Sequence, residues 1–173
     1  ALLGPASTGK TTLAKMFAKL LGLPFIEISP RSVETLDDIV VQIAKTLEAT
    51  IVQGDNGEEY SLELQQLEDG TFRLPPCIVF FDEVHALRKN IEQGLLKATE
   101  KKDSSLVTEK GWVIDTTNVC WFIATTELGL LFDAFVTRFM QIHLRLYSLA
   151  EIAQIVKVNN PDWDADVCEL VAK

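Results

Sequence analysis

Apolar and polar residues follow two rhythms along this chain. Runs of consecutive apolar residues recur, and between them apolar positions return every three or four residues. "CIVFF" at 77–81 and "VCWFIA" at 119–124 have the length and continuity of strands buried on both faces. Residues 25–29 form a shorter run of the same kind, and residues 1–3 read as the tail of a first strand. "QIHLRL" at 141–146 alternates, as an edge or half-exposed strand does. The three-to-four spacing predicts helices over 10–21, 37–47, 91–100, 150–158 and 165–172. The first would present Leu13, Met16, Phe17, Leu20 and Leu21 and stop at Gly22. The second would bury Ile39, Val40, Ile43, Ala44 and Leu47. Strands alternating with helices predict an α/β fold, a parallel sheet covered by helices.

Two stretches depart from this rhythm. "GDNG" at 54–57 is a turn signal between "ATIVQ" and "EEYSLEL", compatible with a hairpin. "SSLVTEKGWVID" alternates imperfectly around Glu109-Lys110-Gly111 and predicts a second hairpin. No internal repeat or low-complexity segment interrupts the pattern.

Composition adds bounds. The chain has 173 residues, 47% hydrophobic and 24% charged, enough for one domain with a substantial core. No apolar run approaches the roughly 20 residues of a membrane helix. No basic stretch followed by an apolar leader opens the chain. Cys77, Cys120 and Cys168 are far apart and lack metal-ligand spacing. They read as reduced residues of a cytoplasmic protein. The net charge of −9 argues weakly against a domain that binds DNA alone. Its distribution is more telling. Residues 46–72 hold seven acidic residues and no Lys or Arg. Residues 88–110 hold Arg88, Lys89, Lys97, Lys101, Lys102 and Lys110 against four acids.

The strongest chemical signal is Gly4-Pro5-Ala6-Ser7-Thr8-Gly9-Lys10-Thr11, which fits G-x-x-x-x-G-K-[ST]. Glycines let backbone N–H groups wrap a phosphate, and the following helix directs its positive end at the anion. Lys10 would reach the β- and γ-phosphates, and the Thr11 hydroxyl would serve Mg²⁺. The second signal is Asp82-Glu83 at the end of "CIVFF". One acid there can hold Mg²⁺, and its neighbour can orient and deprotonate water. The alternative is that either acid caps a helix beginning near Glu83. His85 reads as a packed or hydrogen-bonded helix residue rather than an acid–base group. "WFIATTELG" ends a buried strand in two hydroxyls, Thr126 being the first candidate to touch the γ-phosphate or water and Thr125 the reserve. Arg138 in "FVTRF" could cap its own helix, pair with a local acid, or neutralise charge at a neighbouring subunit's ATP.

In order along the chain, the phosphate loop, the Asp-Glu strand, "IATT" and "TRF" resemble the AAA+ ATPases. Within them, "FFDEVHALRKNIEQGLLKATE", "IATTELGLLFDAFVTRF" and "LYSLAEIAQIV" are most similar to the RuvB branch-migration motors. The resemblance implies a three-layer αβα P-loop NTPase core with a five-stranded parallel sheet over residues 1–146. It implies the beginning of a helical lid over 147–173. It also implies ATP and Mg²⁺ as cofactors, and hydrolysis between subunits of a ring, commonly a hexamer. Gly4, Pro5, Ala6, Ser7, Thr8, Gly9, Lys10, Thr11 and Thr12 then bind nucleotide. Thr11 and Asp82 serve the metal, Glu83 handles the water, Thr126 is sensor 1 and Arg138 a finger acting in trans.

The chain departs from this family in the acidic stretch "ATIVQGDNGEEYSLELQQL", which looks like an insertion. Only three residues precede Gly4, and the chain stops before a sensor 2 helix or a winged-helix domain. It is therefore expected to be a piece of a longer protein, truncated ahead of its first strand and of the residues that grip the adenine.

Three uses of the nucleotide are distinguishable. In a DNA translocase, Lys101, Lys102 and Lys110 near the predicted hairpin would contact phosphates without reading sequence. Against this, the same lysines could be an ordinary solvated helix end. A protein unfoldase commonly carries an aromatic–aliphatic–Gly pore loop after the second strand. Here "SPRSVETLDD" has neither an aromatic residue nor Gly, which favours DNA. A clamp-loader-type switch would use the same site without translocating. DNA, further copies of the chain and an adaptor protein are the expected partners, and a membrane is not.

Overall fold

The continuous apolar runs do become the centre of a sheet. A computed structural model of the chain describes residues 1–47, 65–67 and 70–172. The strands are β1 (Leu2–Leu3), β2 (Phe25–Ile28), β3 (Gln65–Gln66), β4 (Phe72–Arg73), β5 (Cys77–Phe81), β6 (Ser105–Val107), β7 (Val113–Asp115), β8 (Val119–Thr125) and β9 (Ile142–His143). The helices are α1 (Lys10–Leu21), α2 (Leu36–Thr46), α3 (Lys89–Ala98), α4 (Asp133–Val136), α5 (Leu149–Asn159) and α6 (Ala165–Val171). Among the described residues, no helix is long and apolar enough to cross a membrane.

Five strands pair in the order β2-β5-β8-β1-β9, all parallel. Every residue of β5 is buried, as its unbroken apolar run requires of a central strand. Side chains alternate across it. Cys77, Val79 and Phe81 join the larger core with α2, α3 and α4, whereas Phe80 joins a smaller core with Ala14 of α1. Helices on both faces make three layers, the αβα arrangement expected. β8 is less enclosed than its sequence suggests. Cys120 is exposed, Trp121 and Phe122 are half-buried, and burial is complete only over its last three residues. Phe122 meets α1 through Phe17, ring centroids 5.7 Å apart.

The bounds of α1 match the prediction, but its buried face does so only in part, through Leu13 and Phe17. Ala14 and Ala18 are buried, while Met16, Leu20 and Leu21 are more than half exposed. Small side chains let the helix lie close on the sheet. Met16 and Leu20 stand about 200° round the helix from Ala14 and Ala18. Gly22, at φ 65°, ends the helix, with its own N–H and that of Leu23 returning to Lys19 and Ala18 carbonyls.

The hairpin of β6 and β7 forms in the register Leu106 to Ile114. It belongs to a second, four-stranded sheet of order β3-β4-β7-β6, which sequence reading did not foresee. Two-residue strands such as β4 carry too little pattern to be seen; a 2.6 Å Arg73–Asp115 ion pair helps to hold this one. The turn at 54–57 lies outside the described residues, as does most of the acidic stretch. At the hairpin tip, Glu109 reaches the start of α2 and accepts from the N–H groups of Leu36 (2.9 Å) and Asp37 (3.3 Å). Those donors are otherwise unpaired at a helix N-terminus. Thr35 and Asp38 complete the cap reciprocally.

Candidate nucleotide site

The phosphate loop joins β1 to α1 at the carboxyl edge of the parallel sheet, where such folds gather their ligands. Gly4 has φ 151°, and a Cβ there would stand 2.3 Å from the carbonyl oxygen of Leu144. Gly9 is left-handed at φ 82° and serves as the N-cap of α1. No side chain accepts from the first N–H groups of α1, so the helix presents donors to the loop. The Thr8 hydroxyl donates to Pro5 O at 2.9 Å and closes the loop on itself. Lys10 is buried, its ammonium donating to Gly4 O (3.0 Å) and Pro5 O (2.9 Å) across the loop.

The Asp-Glu pair faces this loop. The Thr11 hydroxyl donates to Asp82 Oδ2 at 3.0 Å, although 71 residues separate them. Glu83 is left-handed, with φ 50° and ψ 53°, and its Oε2 accepts from the Thr126 amide (3.2 Å) and hydroxyl (3.0 Å). Residues 6–12 with Asp82 and Glu83 line one cleft of about 360 Å³. The helix expected near Glu83 starts later. Val84–Ala86 form a single tight turn, and α3 begins at Lys89. Neither acid therefore caps α3.

The structure thus joins Gly4 to Thr12, Asp82, Glu83 and Thr126. Arg138 stands apart. Its guanidinium lies 3.7 Å from Glu100, and among the described residues its buried Nε has no partner and no hydrogen bond ties it to the cleft. Lys101, Lys102 and Lys110 are exposed, Lys110 lying 5.4 Å from the Trp112 ring centroid.

Sequence reading missed a second cavity of about 700 Å³ beside the loop. It shares Ser7, Gly9 and Thr12 with the first cleft and adds Met16, Tyr147, Ile152 and Ile155. The Tyr147 hydroxyl donates to Thr8 O at 3.2 Å. The exposed Met16 of α1 lines this cavity. A signal did exist: Tyr147 precedes Ser148, which caps α5 with Glu151. Arg145 and the Ser148 backbone hold the Glu151 carboxyl down at about 2.

The residues suit a magnesium nucleotide. Thr11 and Asp82 are hard oxygen donors in contact, the set that Mg²⁺ prefers. The loop at the start of α1 accepts phosphate, and the apolar cavity next to it has the character of a base pocket.

An αβα fold with a phosphate loop facing an Asp-Glu strand end defines a P-loop NTPase. The chain belongs to the AAA family, described as ATPases associated with various cellular activities, whose pattern matches residues 1–146. It is similar to the Holliday junction branch migration complex subunit RuvB of Ehrlichia ruminantium (strain Gardel), 28% identical over 162 residues. That match covers 90% of this chain and 41% of the relative. The RuvB subunit of Anaplasma marginale (strain Florida) is 27% identical with the same coverage. The chain therefore spans less than half the length of these relatives. Two variants of Thermotoga maritima RuvB superpose over 99% of this chain, with TM-scores of 0.66 and 0.67 and identities of 24% and 25%. They are covered over 48% and 47% of their own lengths.

Proposed function

We propose that this chain is the ATP-hydrolysing core of a cytoplasmic, RuvB-like DNA motor. Residues 1–146 act as the nucleotide-binding core and 147–173 begin a lid. The observation that carries the reading is the meeting of Thr11 with Asp82 at 3.0 Å in the cleft that Glu83 also lines. Residues 4–12 bind the phosphates, with Lys10 leaving its two loop carbonyls to do so. Thr11 and Asp82 hold Mg²⁺. Bound ATP supplies a terminal phosphoryl group for transfer to water. Glu83 takes the proton of that water, and Thr126 aligns Glu83.

The arrangement of Arg138 supports an inter-subunit site. It is absent from its own cleft, and its side chain is 28% exposed. Copies of the chain then assemble into a ring, as a hexamer, with Arg138 completing the neighbouring site. The DNA reading draws on the RuvB relatives and on exposed Lys101, Lys102 and Lys110. An adaptor protein is a further partner of such an assembly.

The test is ATP turnover by the full-length protein with and without a four-way DNA junction. Several-fold stimulation that weakens steeply with added salt is expected. Turnover indifferent to DNA but raised by an unfolded protein overturns the DNA reading. Stimulation without translocation of a labelled strand favours a clamp-loader-type switch.

A further inference from the structure

His85 lies at the junction of the Asp-Glu turn and the end of β8. Its side chain is 18% exposed, and among the described residues the charged groups within 4 Å of it are two carboxylates. Nδ1 stands 2.8 Å from Thr125 Oγ1 and 3.3 Å from Glu83 Oε2. Nε2 stands 3.8 Å from Glu127 Oε1. Thr125 is fully buried, and its hydroxyl oxygen also accepts from the Glu127 amide at 2.9 Å.

Glu83, nearer to Nδ1 at 3.3 Å than Glu127 is to Nε2 at 3.8 Å, favours the tautomer with its hydrogen on Nδ1. A lone pair on Nδ1 would face the Glu83 carboxylate and repel it. A hydrogen on Nδ1 turns that approach into attraction, and the second lone pair of Thr125 Oγ1 can share it. The imidazole N–H then has Thr125 Oγ1 as its hydrogen-bond partner at 2.8 Å and Glu83 Oε2 as a polar contact at 3.3 Å.

The consequence falls on one oxygen of Glu83. Thr126 N–H, the Thr126 hydroxyl and His85 Nδ1 all converge on Oε2. Among the described residues, no hydrogen bond occupies Oε1. Glu83 also sits in a left-handed backbone conformation that non-glycine residues adopt only under constraint. Its side chain needs external anchors to keep one direction.

We propose that His85 is a positioning residue, which, braced on Thr125, holds the Oε2 edge of Glu83 against Thr126 and leaves Oε1 to receive the proton of the attacking water. In that step the water proton passes to Oε1 while the water oxygen bonds to the γ-phosphorus. The bond from that phosphorus to the β–γ bridging oxygen breaks, and its electron pair leaves on ADP. This role for His85 rests on Glu83 being the base. Adjacent Thr125 and Thr126 thereby serve different partners, Thr125 bracing the imidazole and Thr126 bracing the carboxylate.

Three substitutions in the full-length protein test the assignment. His85→Asn keeps a donor near the place of Nδ1, His85→Gln offers one near Nε2, and His85→Ala removes both. The kcat of His85→Ala and His85→Gln is expected to fall about tenfold, as for a lost polar contact with a charged group. His85→Asn should stay within about twofold, since its donor preserves that contact. KM, and the Kd for a fluorescent ATP analogue, should be unchanged in all three. In nucleotide-free protein, hydrogen exchange at the Thr126 amide should accelerate in His85→Ala and His85→Gln but not in His85→Asn. If Thr126 exchange and kcat are unchanged in His85→Ala, or if His85→Asn is as impaired as His85→Ala, the positioning role is wrong. Glu83→Gln separates the two readings. If it retains turnover, Glu83 is not the base, whereas Thr126 exchange still decides whether His85 anchors it.

Discussion

Thr11 and Asp82 meet across the nucleotide cleft, the threonine hydroxyl donating to the carboxylate at 3.0 Å. One residue lies in the first turn of a helix and the other directly follows a central strand, so the contact forms only when α1 seats on the sheet. It places two oxygen donors suited to Mg²⁺ side by side. Thr11→Ala should leave magnesium-free ATP binding intact and lower magnesium-dependent turnover about 100-fold, the scale expected when reacting groups are misplaced. Nucleotide titrations with and without Mg²⁺ read both effects.

Lys10 and Glu83 should fail differently. Lys10 is the ammonium next to the phosphate loop, so Lys10→Ala is expected to lose ATP binding. Glu83→Gln should bind ATP and retain it, with turnover reduced about 10²-fold or more, as for removal of a general base. Filter binding of labelled ATP, chased over minutes, distinguishes an empty site from a trapped one.

Arg138 predicts an effect that depends on the neighbour. Arg138→Ala should bind ATP and assemble, yet turn over about 10³-fold more slowly, the range for an arginine finger. Mixing Arg138→Ala with Lys10→Ala subunits should restore part of the activity, because one chain keeps an intact cleft and the other an intact finger. Full activity of Arg138→Ala alone would remove it from the site.

The contact of Glu109 with α2 predicts a pH effect. Burial pushes the Glu109 carboxyl up, but bonds from the Leu36 and Asp37 backbone outweigh this and hold it below its ordinary value of 4.5. A carboxylate depressed in the fold adds stability above its unfolded value, and loses it as pH falls through the folded one. Asp37 beside it goes the other way, raised by burial and then by its bond with Glu109. The part of the Leu36 and Asp37 amide protection that comes from Glu109 should therefore decline as acidification passes its ordinary value of 4.5, while the raised Asp37 contributes in the opposite sense. Glu109→Gln should weaken the contact by about 1 kcal/mol at neutral pH, the usual worth of a helix cap. Amide exchange in the two proteins across that pH range is the check.

Much of the fold was legible because its signals are local. The unbroken run at 77–81 reads as a doubly covered strand and is one, and Gly22 ended α1 where the pattern stopped. The phosphate loop was legible because its glycines answer a backbone demand, seen at Gly4, where a Cβ would collide with Leu144. The second sheet was not legible, since β3 and β4 are two residues each and their partners are distant in sequence. Nor was the whole buried side of α1. Periodicity counts apolar residues, but close packing on the sheet selected Ala14 and Ala18 and left Met16 to line a cavity.

The sequence alone thus determined an α/β nucleotide-binding fold, through strand runs, helix periodicity and a loop whose chemistry is written in consecutive residues. Only the tertiary structure decided which oxygens face one another. It brought Thr11 to Asp82 and Thr126 to Glu83, set His85 between Thr125 and Glu83, and paired Arg138 with Glu100. The reason is physical. Local patterning reflects short-range backbone and burial preferences. A hydrogen bond between residues 40 or 71 positions apart depends instead on how whole elements seat against a shared sheet.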